Sequence, residues 1–381
     1  MRILHIIPGL QVGGAEIFLE SLIGAWPRSD DQHIVVCFHG GIIAARLRSK
    51  NILVHELMHK KPASLVDAVR VFWRFSQCLN EIKPEIVVSA LWSANICARI
   101  LCWAKRIPLI SVWHNNAQFL GFFKRYLDGI TASLFPGRIV AVAQSVLDSY
   151  VSLPILGRFL KKRSIVVETG VDVTALLDGK HRFGLRQKFN MHPDRFVFGA
   201  VGRLIPVKAF SNLILAFHAF LKNQFFLEED AENIPLLCIV GDGPEFDSLQ
   251  GLVDQLKLAN FVTLCGQQDD VAALYHGFSA YVSASMSEGL SVALLEALAV
   301  GLPFVVTEAG QPSGLFRLDV DGVVVDSHEV VDLALGLIKM YTEYDKYSHH
   351  SASRTLMVRK FYSIAGAAEK YATLIDQVSQ I

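Results

Sequence analysis

Residues 196–208 have the sequence FVFGAVGRLIPVK, an apolar run of strand length that ends in a glycine and a loop with two basic residues. The run follows a polar stretch, 172–194, which is predicted to join two domains. Further apolar segments of strand length lie at 236–240, 261–264, 280–283 and 303–307. Helix-length segments separate them, and this alternation is typical of a parallel α/β sheet. The second half of the chain is therefore predicted to form a Rossmann-like domain.

The first half of the chain shows the same alternation. Its candidate strands are 2–7, 33–38, 86–90, 109–113, 139–143 and 164–167. A helical pattern also runs from 354 to 378, near the end of the chain. We predict an α/β protein with two Rossmann-like domains, 1–172 and 173–355, and a closing helix, 356–381, that packs back on the first domain.

The composition excludes several classes of protein. With 381 residues, of which 52% are hydrophobic, the chain can bury two cores, so disorder, collagen and disulfide scaffolds are excluded. The apolar opening is too short for a signal peptide, and Glu296 interrupts the longest apolar region, so we expect a cytoplasmic protein without a membrane span. The mean hydropathy of +0.36 keeps a membrane surface among the candidate partners. The six cysteines lack metal-binding spacing and are expected to be reduced thiols.

The two halves of the chain carry opposite charge. Residues 1–168 hold 20 Lys and Arg against 11 Asp and Glu, whereas residues 169–381 hold 16 against 25. A basic half suggests an anionic partner, either a phosphate-bearing lipid or nucleic acid. No interleaved aromatic and basic RNA-binding signature is present, so nucleic acid is not an expected partner.

A glycine-rich loop, GLQVGGAE at 9–16, follows the first predicted strand. Gly13 and Gly14 open a helix there, and a helix N-terminus offers free N–H groups and partial positive charge to a phosphate. The spacing is not GxGxxG, which argues against NAD binding. A tight turn without a ligand is the alternative.

The loop after the strand 196–201 carries two cations, Arg203 and Lys208. Open α/β sheets bind ligands at this end of their strands. Arginine can hold a diphosphate through two hydrogen bonds, and lysine adds a point charge. A solvated basic loop is the alternative.

The segment 285–303, SMSEGLSVALLEALAVGLP, is the most informative motif. Ser291 and Gly301 are predicted as the N-cap and C′ residues of a helix of about nine residues. That helix is apolar on every side except at Glu296, and burying a carboxylate is costly unless it is paired or binds something. Glu288 lies on the preceding loop, so both carboxylates are expected to face one cleft. A structural ion pair with Arg or Lys is the alternative.

A further candidate is His114, which follows the predicted strand 109–113 in the basic half. A single histidine at a strand end is more often an ordinary hydrogen-bonded residue than a catalytic one. Its expected position at the ligand-binding end of the sheet favours a role in the site.

Taken in order along the chain, these motifs resemble those of glycosyltransferase family 4, also described as glycosyl transferases group 1. The resemblance rests on GGAE at 13–16, GRL at 202–204 with Lys208, GDGP at 241–244, and SEG at 287–289 followed by LEA and GLP. It implies the GT-B fold, with the two domains facing across a cleft. It also implies a retaining enzyme that transfers a hexose-type sugar from a UDP- or GDP-sugar, with no metal and no further cofactor.

The resemblance assigns a role to each candidate residue of the second domain, which would bind the donor. Arg203 and Lys208 would hold the diphosphate and stabilise the leaving group. Glu288 would contact the transferred sugar, and Glu296 would accept hydrogen bonds from the ribose. The backbone N–H groups of the residues after Glu288 would meet sugar or phosphate oxygens; these residues are Gly289, Leu290 and Ser291.

The first domain would bind the acceptor. There the resemblance places the backbone of Gly13 and Gly14 close to the donor phosphates and His114 near the reacting sugar carbon. One departure from the family pattern is Ala209, since a glycine usually follows the lysine at position 208.

The acceptor is expected to be a glycan or a lipid-linked sugar of bacterial cell-surface polysaccharide, such as lipopolysaccharide. Aromatic and basic residues at 119–126 and 159–163 favour an enzyme that lies peripherally on the inner membrane, in contact with anionic lipid. A buried aromatic core is the alternative reading of those segments. Two alternative functions are a nucleotide-sugar epimerase or hydrolase of the same fold and a noncatalytic nucleotide-sugar-binding subunit.

Overall fold

The computed structural model describes residues 1–178, 186, 187, 189, 192, 194–223, 234–268, 271–310 and 320–379. The chain forms two compact units: unit 1, Met1–Gly170 with Ile364–Ile381, and unit 2, Val171–Ser363. The predicted bounds at 172 and 355 differ from this division, because the chain leaves unit 1 after Gly170 and returns to it only at Ile364.

Unit 1 is built on a parallel sheet. Its strands are β1 (Arg2–Gly9), β2 (Gln32–His39), β3 (Leu53–Met58), β4 (Ile86–Ala90), β5 (Leu109–Trp113), β6 (Arg138–Ala141) and β7 (Ser164–Val166). The strand order is β3-β2-β1-β4-β5-β6-β7, and in the register Ile3 lies between His33 of β2 and Ile86 of β4. The helices between these strands are α1 (Gly14–Gly24), α2 (Ile42–Ser49), α3 (Leu65–Ile82), α4 (Trp92–Lys105), α5 (Phe122–Leu134), α6 (Gln144–Val151) and α7 (Gly157–Arg163).

Helices cover both faces of this sheet. Leu19 and Ile23 of α1 and Leu47 of α2 belong to the core on one face. Phe75 of α3 and Leu101 of α4 belong to the core on the other. Burial on both faces explains why the central strands are continuous apolar runs.

Unit 2 repeats the arrangement. Its strands are β8 (Val197–Val201), β9 (Leu236–Val240), β10 (Val262–Leu264), β11 (Ala280–Ser283), β12 (Phe304–Thr307) and β13 (Gly322–Val325), in the parallel order β10-β9-β8-β11-β12-β13. Its helices are α8 (Val173–Leu177), α9 (Phe210–Leu221), α10 (Phe246–Gln255), α11 (Val271–His276), α12 (Val292–Ala299), α13 (Val330–Thr342), α14 (Tyr344–Ser348) and α15 (Ser351–Phe361). Every segment that the sequence predicted as a strand forms one. The prediction missed β3 and β13, each at an edge of its sheet.

The end of the chain differs from the single helix expected over 354–378. A last helix, α16 (Ile364–Ser379), begins only after a break, and the preceding α15 stays in unit 2, where it contacts α12. The break coincides with a bridge between Val171 and Ser363 and with a 2.8 Å hydrogen bond from the Val171 N–H to the Tyr362 carbonyl. In unit 1, α16 packs on α1, where Tyr371 meets Phe18 at a centroid distance of 6.0 Å.

All six cysteines are free thiols. Within the described ranges, no helix is both long enough and apolar enough to span a membrane.

A buried polar cluster fixes the end of β5. Arg99 of α4 is paired with Asp128 of α5, and both side chains are almost fully buried. The Tyr150 hydroxyl donates to the other Asp128 oxygen at 2.6 Å, and its ring stacks on Trp113 at 3.7 Å. A buried charge pair of this kind is strongly destabilising when one partner is removed.

Replacing Asp128 with asparagine is expected to lower the free energy of unfolding by about 3 kcal/mol or more, because the buried Arg99 charge loses its counterion. Urea unfolding followed by circular dichroism measures the change. The matched control is Asp148→Asn, since Asp148 is exposed and accepts a hydrogen bond from Gln144. Its effect should stay within about 0.5 kcal/mol. Equal losses in the two variants would contradict the assigned role of the cluster.

Candidate functional site

The strand order of unit 2 brings two distant loops together. β8 and β11 are neighbours in the sheet, and the strand order reverses between them. Ligands of open α/β sheets bind in the crevice at such a reversal, outside the carboxyl ends of the strands. Arg203 and Lys208 follow β8, and Glu288 follows β11. The structure thus brings the predicted cations and one predicted carboxylate to the same end of the sheet.

An ion pair connects the two loops. The Lys208 ammonium contacts Oε1 of Glu288, and both side chains are largely buried. The Ser285 hydroxyl donates to the same oxygen at 2.8 Å, and Ser283 Oγ lies 3.1 Å from Ser285 Oγ. A backbone bond from Met286 N–H to the Val207 carbonyl, 2.8 Å long, ties the loops again. The ion-pair alternative therefore applies to Glu288, and the pair lies inside the candidate site.

Arg203 lies on the same loop as Lys208, but in the described part of the chain protein contacts hold only its backbone and not its side chain. Its side chain is exposed and has no hydrogen-bond or ion-pair partner among the described residues. Its backbone is fixed, because Leu204 N–H donates to the Asp242 carbonyl at 2.9 Å. A Cβ on Gly241 would lie 1.9 Å from the Gly202 carbonyl oxygen, and the φ of Gly241 is +143°. The GDGP motif therefore supports the basic loop and leaves its guanidinium available to an anion.

Ala209 has a left-handed backbone, with φ of 49° and ψ of 39°. It ends the 3-10 helix Pro206–Lys208 and begins α9. This conformation costs an L-residue about 1 to 2 kcal/mol and glycine almost nothing. A glycine at this position would avoid that cost, so this chain carries backbone strain at Ala209.

The helix α12 matches its prediction closely. Ser291 is its N-cap, and its hydroxyl accepts a bond from the Leu294 N–H at 3.4 Å. Gly301 follows the C-cap with φ of +89°. The N–H groups of Gly289, Leu290 and Ser291 have no protein acceptor in the described part of the chain. Together with the helix dipole they present partial positive charge next to Glu288.

Glu296 is half-buried on α12 and accepts a 2.8 Å hydrogen bond from the Tyr275 hydroxyl. No lysine or arginine pairs with it among the described residues, so the ion-pair alternative does not apply to this carboxylate. Burial raises the pKa of Glu296 to about 7, and the Tyr275 bond only partly opposes the shift. An unneutralised carboxylate in this position is ready to accept hydrogen bonds from a ligand.

Sequence reasoning missed two tyrosines and a serine in this site. Tyr281 is buried near both carboxylates: burial and then the Glu288 charge raise its pKa, while hydrogen bonds with Ser291 and Ser283 oppose the rise. Tyr275 carries the bond to Glu296. Tyrosines in apolar segments are expected in a core, and no local signal distinguishes these. Ser285 lies within the motif that was recognised.

The remaining predicted site residues, Gly13, Gly14 and His114, lie in unit 1. Gly13 is the N-cap of α1, with an extended backbone, and Gly14 is its exposed first residue, just beyond β1. His114 follows β5, is half-buried, and meets Phe18 edge-on at 6.3 Å. Burial lowers the pKa of His114 to about 4, so the imidazole is neutral at neutral pH. It is suited to hydrogen bonding and not to carrying charge.

Two family profiles match the chain, and together they span most of both units. Glycosyltransferase Family 4 matches residues 12–175, and Glycosyl transferases group 1 matches residues 182–354.

The chain is 22% identical over 378 residues to the lipopolysaccharide core biosynthesis glycosyltransferase LpsD of Rhizobium meliloti, covering 99% of this chain and 98% of LpsD. Over 177 residues it is 25% identical to an Escherichia coli UDP-Gal:alpha-D-GlcNAc-diphosphoundecaprenol alpha-1,3-galactosyltransferase, covering 46% of this chain and 44% of that enzyme. The crystal structure of Anabaena HepE in complex with UDP-glucose matches with a TM-score of 0.84 at 20% identity, covering 99% of this chain and 100% of HepE.

Two parallel α/β units of this strand order, with these structural neighbours, define the GT-B fold of glycosyltransferases. These matches confirm that the chain resembles glycosyltransferase family 4, as its motifs indicated.

Replacing Ala209 with glycine is expected to raise the free energy of unfolding by about 0.5 kcal/mol, because relief of the left-handed backbone outweighs the added entropy of the unfolded chain. Urea unfolding measures it. The control is Ala216→Gly, a buried position within the regular part of α9, which should lose about 1 kcal/mol. If both variants lose unfolding free energy to a similar extent, the strain at Ala209 is not significant.

Proposed function

We propose that this protein is a retaining, metal-independent glycosyltransferase that transfers a hexose from a UDP- or GDP-sugar to a glycan or lipid-linked acceptor. One observation carries the proposal: Arg203, Lys208 and Glu288 converge at the strand reversal of the unit 2 sheet. The UDP-glucose complex of HepE supports a UDP-linked donor.

The cations would act on the leaving group. When the bond between the sugar carbon and the diphosphate oxygen breaks, negative charge develops on the diphosphate. Preorganised cations stabilise such charge without reorganisation during the reaction. Arg203, with its side chain unpaired by described residues, would bind two phosphate oxygens, and Lys208 would add a second charge.

Glu288 would have two functions. Its Oε1 atom already accepts from Lys208 and Ser285, which fixes the ammonium at the end of the sheet. The carboxylate would also accept hydrogen bonds from the hydroxyls of the transferred sugar. The free N–H groups of Gly289, Leu290 and Ser291 would meet sugar or phosphate oxygens beside it.

Glu296 would bind the ribose of the nucleotide. A ribose presents two neighbouring hydroxyls, and a carboxylate accepts from both. The Tyr275 bond orients the carboxylate for this contact.

In unit 1, the proposal gives Gly13 and Gly14 a backbone contact with phosphate and gives neutral His114 a hydrogen bond to the transferred sugar. A neutral imidazole adds no charge that would compete with the cations for the leaving group.

The names of two relatives support the acceptor class. LpsD is a lipopolysaccharide core enzyme, and the Escherichia coli relative acts on a diphosphoundecaprenol-linked sugar. We therefore propose a role in bacterial cell-surface polysaccharide synthesis, with the enzyme lying peripherally on the membrane that holds a lipid-linked acceptor.

Single replacements of Arg203 and Lys208 by alanine are expected to lower turnover by about 10²-fold or more, because each removes charge stabilisation of the leaving diphosphate. The assay is donor hydrolysis and transfer with the nucleotide sugar that gives the largest thermal shift in a panel. Lys222→Ala, at an exposed cation at the end of α9, should retain full turnover. Near-normal turnover in both site variants would refute the assigned mechanism.

Replacing Glu296 with glutamine is expected to weaken donor binding by about 1 to 2 kcal/mol at pH 8, since charge-assisted bonds to the ribose become neutral. Calorimetric titration from pH 6 to 8 should show wild-type affinity rising as Glu296, with its pKa near 7, ionises. The glutamine variant should lack this rise.

The thermal stability of the Glu296→Gln variant provides the control for its binding measurement. Because folding raises the pKa of Glu296, its contribution to stability is present below about pH 4.5 and lost as the pH rises through about 7. At pH 8 the glutamine variant should therefore melt no lower than the wild type. A large loss of melting temperature with unchanged donor affinity would indicate a purely structural carboxylate.

A further inference from the structure

The large apolar side chains that the structure exposes are concentrated in one part of unit 1. Of the 18 such residues in the described part of the chain, 11 lie on or beside α3, α4, α5 and α7. They are Leu65, Val66, Val69, Trp73, Trp103, Phe122, Phe123, Ile130, Leu134, Ile155 and Phe159. We call this set the apolar layer. The buried-core alternative for the segments 119–126 and 159–163 is wrong for Phe122, Phe123 and Phe159, which are 79%, 76% and 59% exposed.

The helices that carry the layer are neighbours. α3 and α4 share the core on one face of the sheet, and α5 contacts α4 and α7. On α3, the exposed residues Val69 and Trp73 are four positions apart, while Val71 and Phe75 face the core. This helix therefore has a second apolar side that points away from the sheet.

The helix α5 buries polar side chains and directs apolar side chains outward, the reverse of the usual arrangement of a surface helix. Its polar residues Asp128 and Thr131 are buried. Its outer side is an apolar stripe with helical spacing, formed by Phe123, Leu127, Ile130 and Leu134. Leu127 is half-buried, and the other three are exposed. A helix that directs its apolar side outward is adapted to a partner that is itself apolar.

The charge around the layer selects the partner. Residues 86–167 contain ten Lys and Arg but only two acidic residues, and one of these, Asp128, is buried and paired with Arg99. Lys161 and Lys162 of α7 are exposed next to Phe159. Exposed aromatic and aliphatic groups surrounded by cations are what binding to an anionic lipid surface requires.

A groove at the end of α5 adds to this surface. It has a volume of about 740 Å³, lies at the amino ends of β5 and β6, and is lined by Trp103, Pro136 and three arginines, Arg106, Arg138 and Arg163. No acidic side chain is among its lining residues in the described part of the chain. Arg163 donates to the Ser133 and Phe135 carbonyls, so Arg106 and Arg138 are the two cations that would meet a phospholipid phosphate beside the apolar walls.

From these observations we infer that the apolar layer docks unit 1 on an anionic phospholipid leaflet, with headgroup phosphates at the arginine groove. The inference rests on the proposed function only in that a lipid-linked acceptor would be held in the same leaflet.

Co-sedimentation with vesicles tests the inference without any nucleotide sugar. The wild type is expected to bind vesicles of phosphatidylglycerol and phosphatidylcholine at low salt, and to bind phosphatidylcholine alone much more weakly. Binding should fall steeply as sodium chloride is added, because the cationic contribution is screened.

Two variants separate the apolar and the charged contributions. The double variant Phe123→Ser with Leu134→Ser is expected to lose about tenfold or more in vesicle partition, since each side chain no longer inserts. Lys161→Gln with Lys162→Gln is expected to lose about tenfold as well, and its binding should depend less on salt. Arg163 is left in place because it donates to the Ser133 and Phe135 carbonyls.

The matched control is Val331→Ser with Leu335→Ser on α13 of unit 2, which replaces side chains that are 68% and 60% exposed outside the layer. It should bind vesicles like the wild type. All variants should keep the thermal shift with UDP-sugar, which shows that they are folded.

Three results would overturn the docking surface: no binding of the wild type to anionic vesicles, equal losses in the control and layer variants, or a dimer in sedimentation that Phe123→Ser with Leu134→Ser dissociates. The last would show that the layer is covered by a second copy. Loss of vesicle binding with intact UDP-sugar binding leaves the proposed function standing, whereas vesicle binding without any nucleotide-sugar binding overturns the function alone.

Discussion

The ion pair between Lys208 and Glu288 joins residues that are 80 positions apart in the chain. It forms because β8 and β11 are adjacent in the sheet, so that the loops which follow them lie next to each other. A bond between Met286 and Val207 secures the same loops through the backbone. Each partly buried charge keeps the other from being an isolated ion in a low-dielectric site, which would be costly. The remaining features of the candidate site in unit 2 are arranged around this pair.

Two features fix the backbone around the ion pair: a close contact at Gly241 and a strained conformation at Ala209. Gly241 lies so near the Gly202 carbonyl that a side chain there would collide with it. Ala209 turns the chain into α9 through a left-handed conformation that disfavours any residue but glycine. Such local costs are common where a site must hold a particular geometry. Here they hold the backbone of the loop that carries Arg203 and Lys208 at the carboxyl end of β8.

The strands inside each sheet could be predicted, whereas two of the four edge strands, β3 and β13, could not. The central strands are continuous apolar runs, so composition alone identified them. β3 alternates between exposed and buried positions at the sheet edge, which weakens its pattern. The final helix was expected to be continuous because Phe361, Ala367, Tyr371 and Leu374 would share one helical face. It breaks because Val171 pairs with Ser363, a contact that no local pattern contains.

By itself the sequence determined the alternation of buried strands with helices in both halves, the capped helix after Ser291, the basic loop and the resemblance of its motifs to glycosyltransferase family 4. These depend on local periodicity, glycine and proline, which act over a few residues. Only the tertiary structure decided that Lys208 pairs with Glu288, that Glu296 lacks a cation and has Tyr275 instead, and that Phe122 and Phe123 are exposed. Pairing and exposure depend on which distant segments become neighbours, and that is fixed by how the helices and strands pack together.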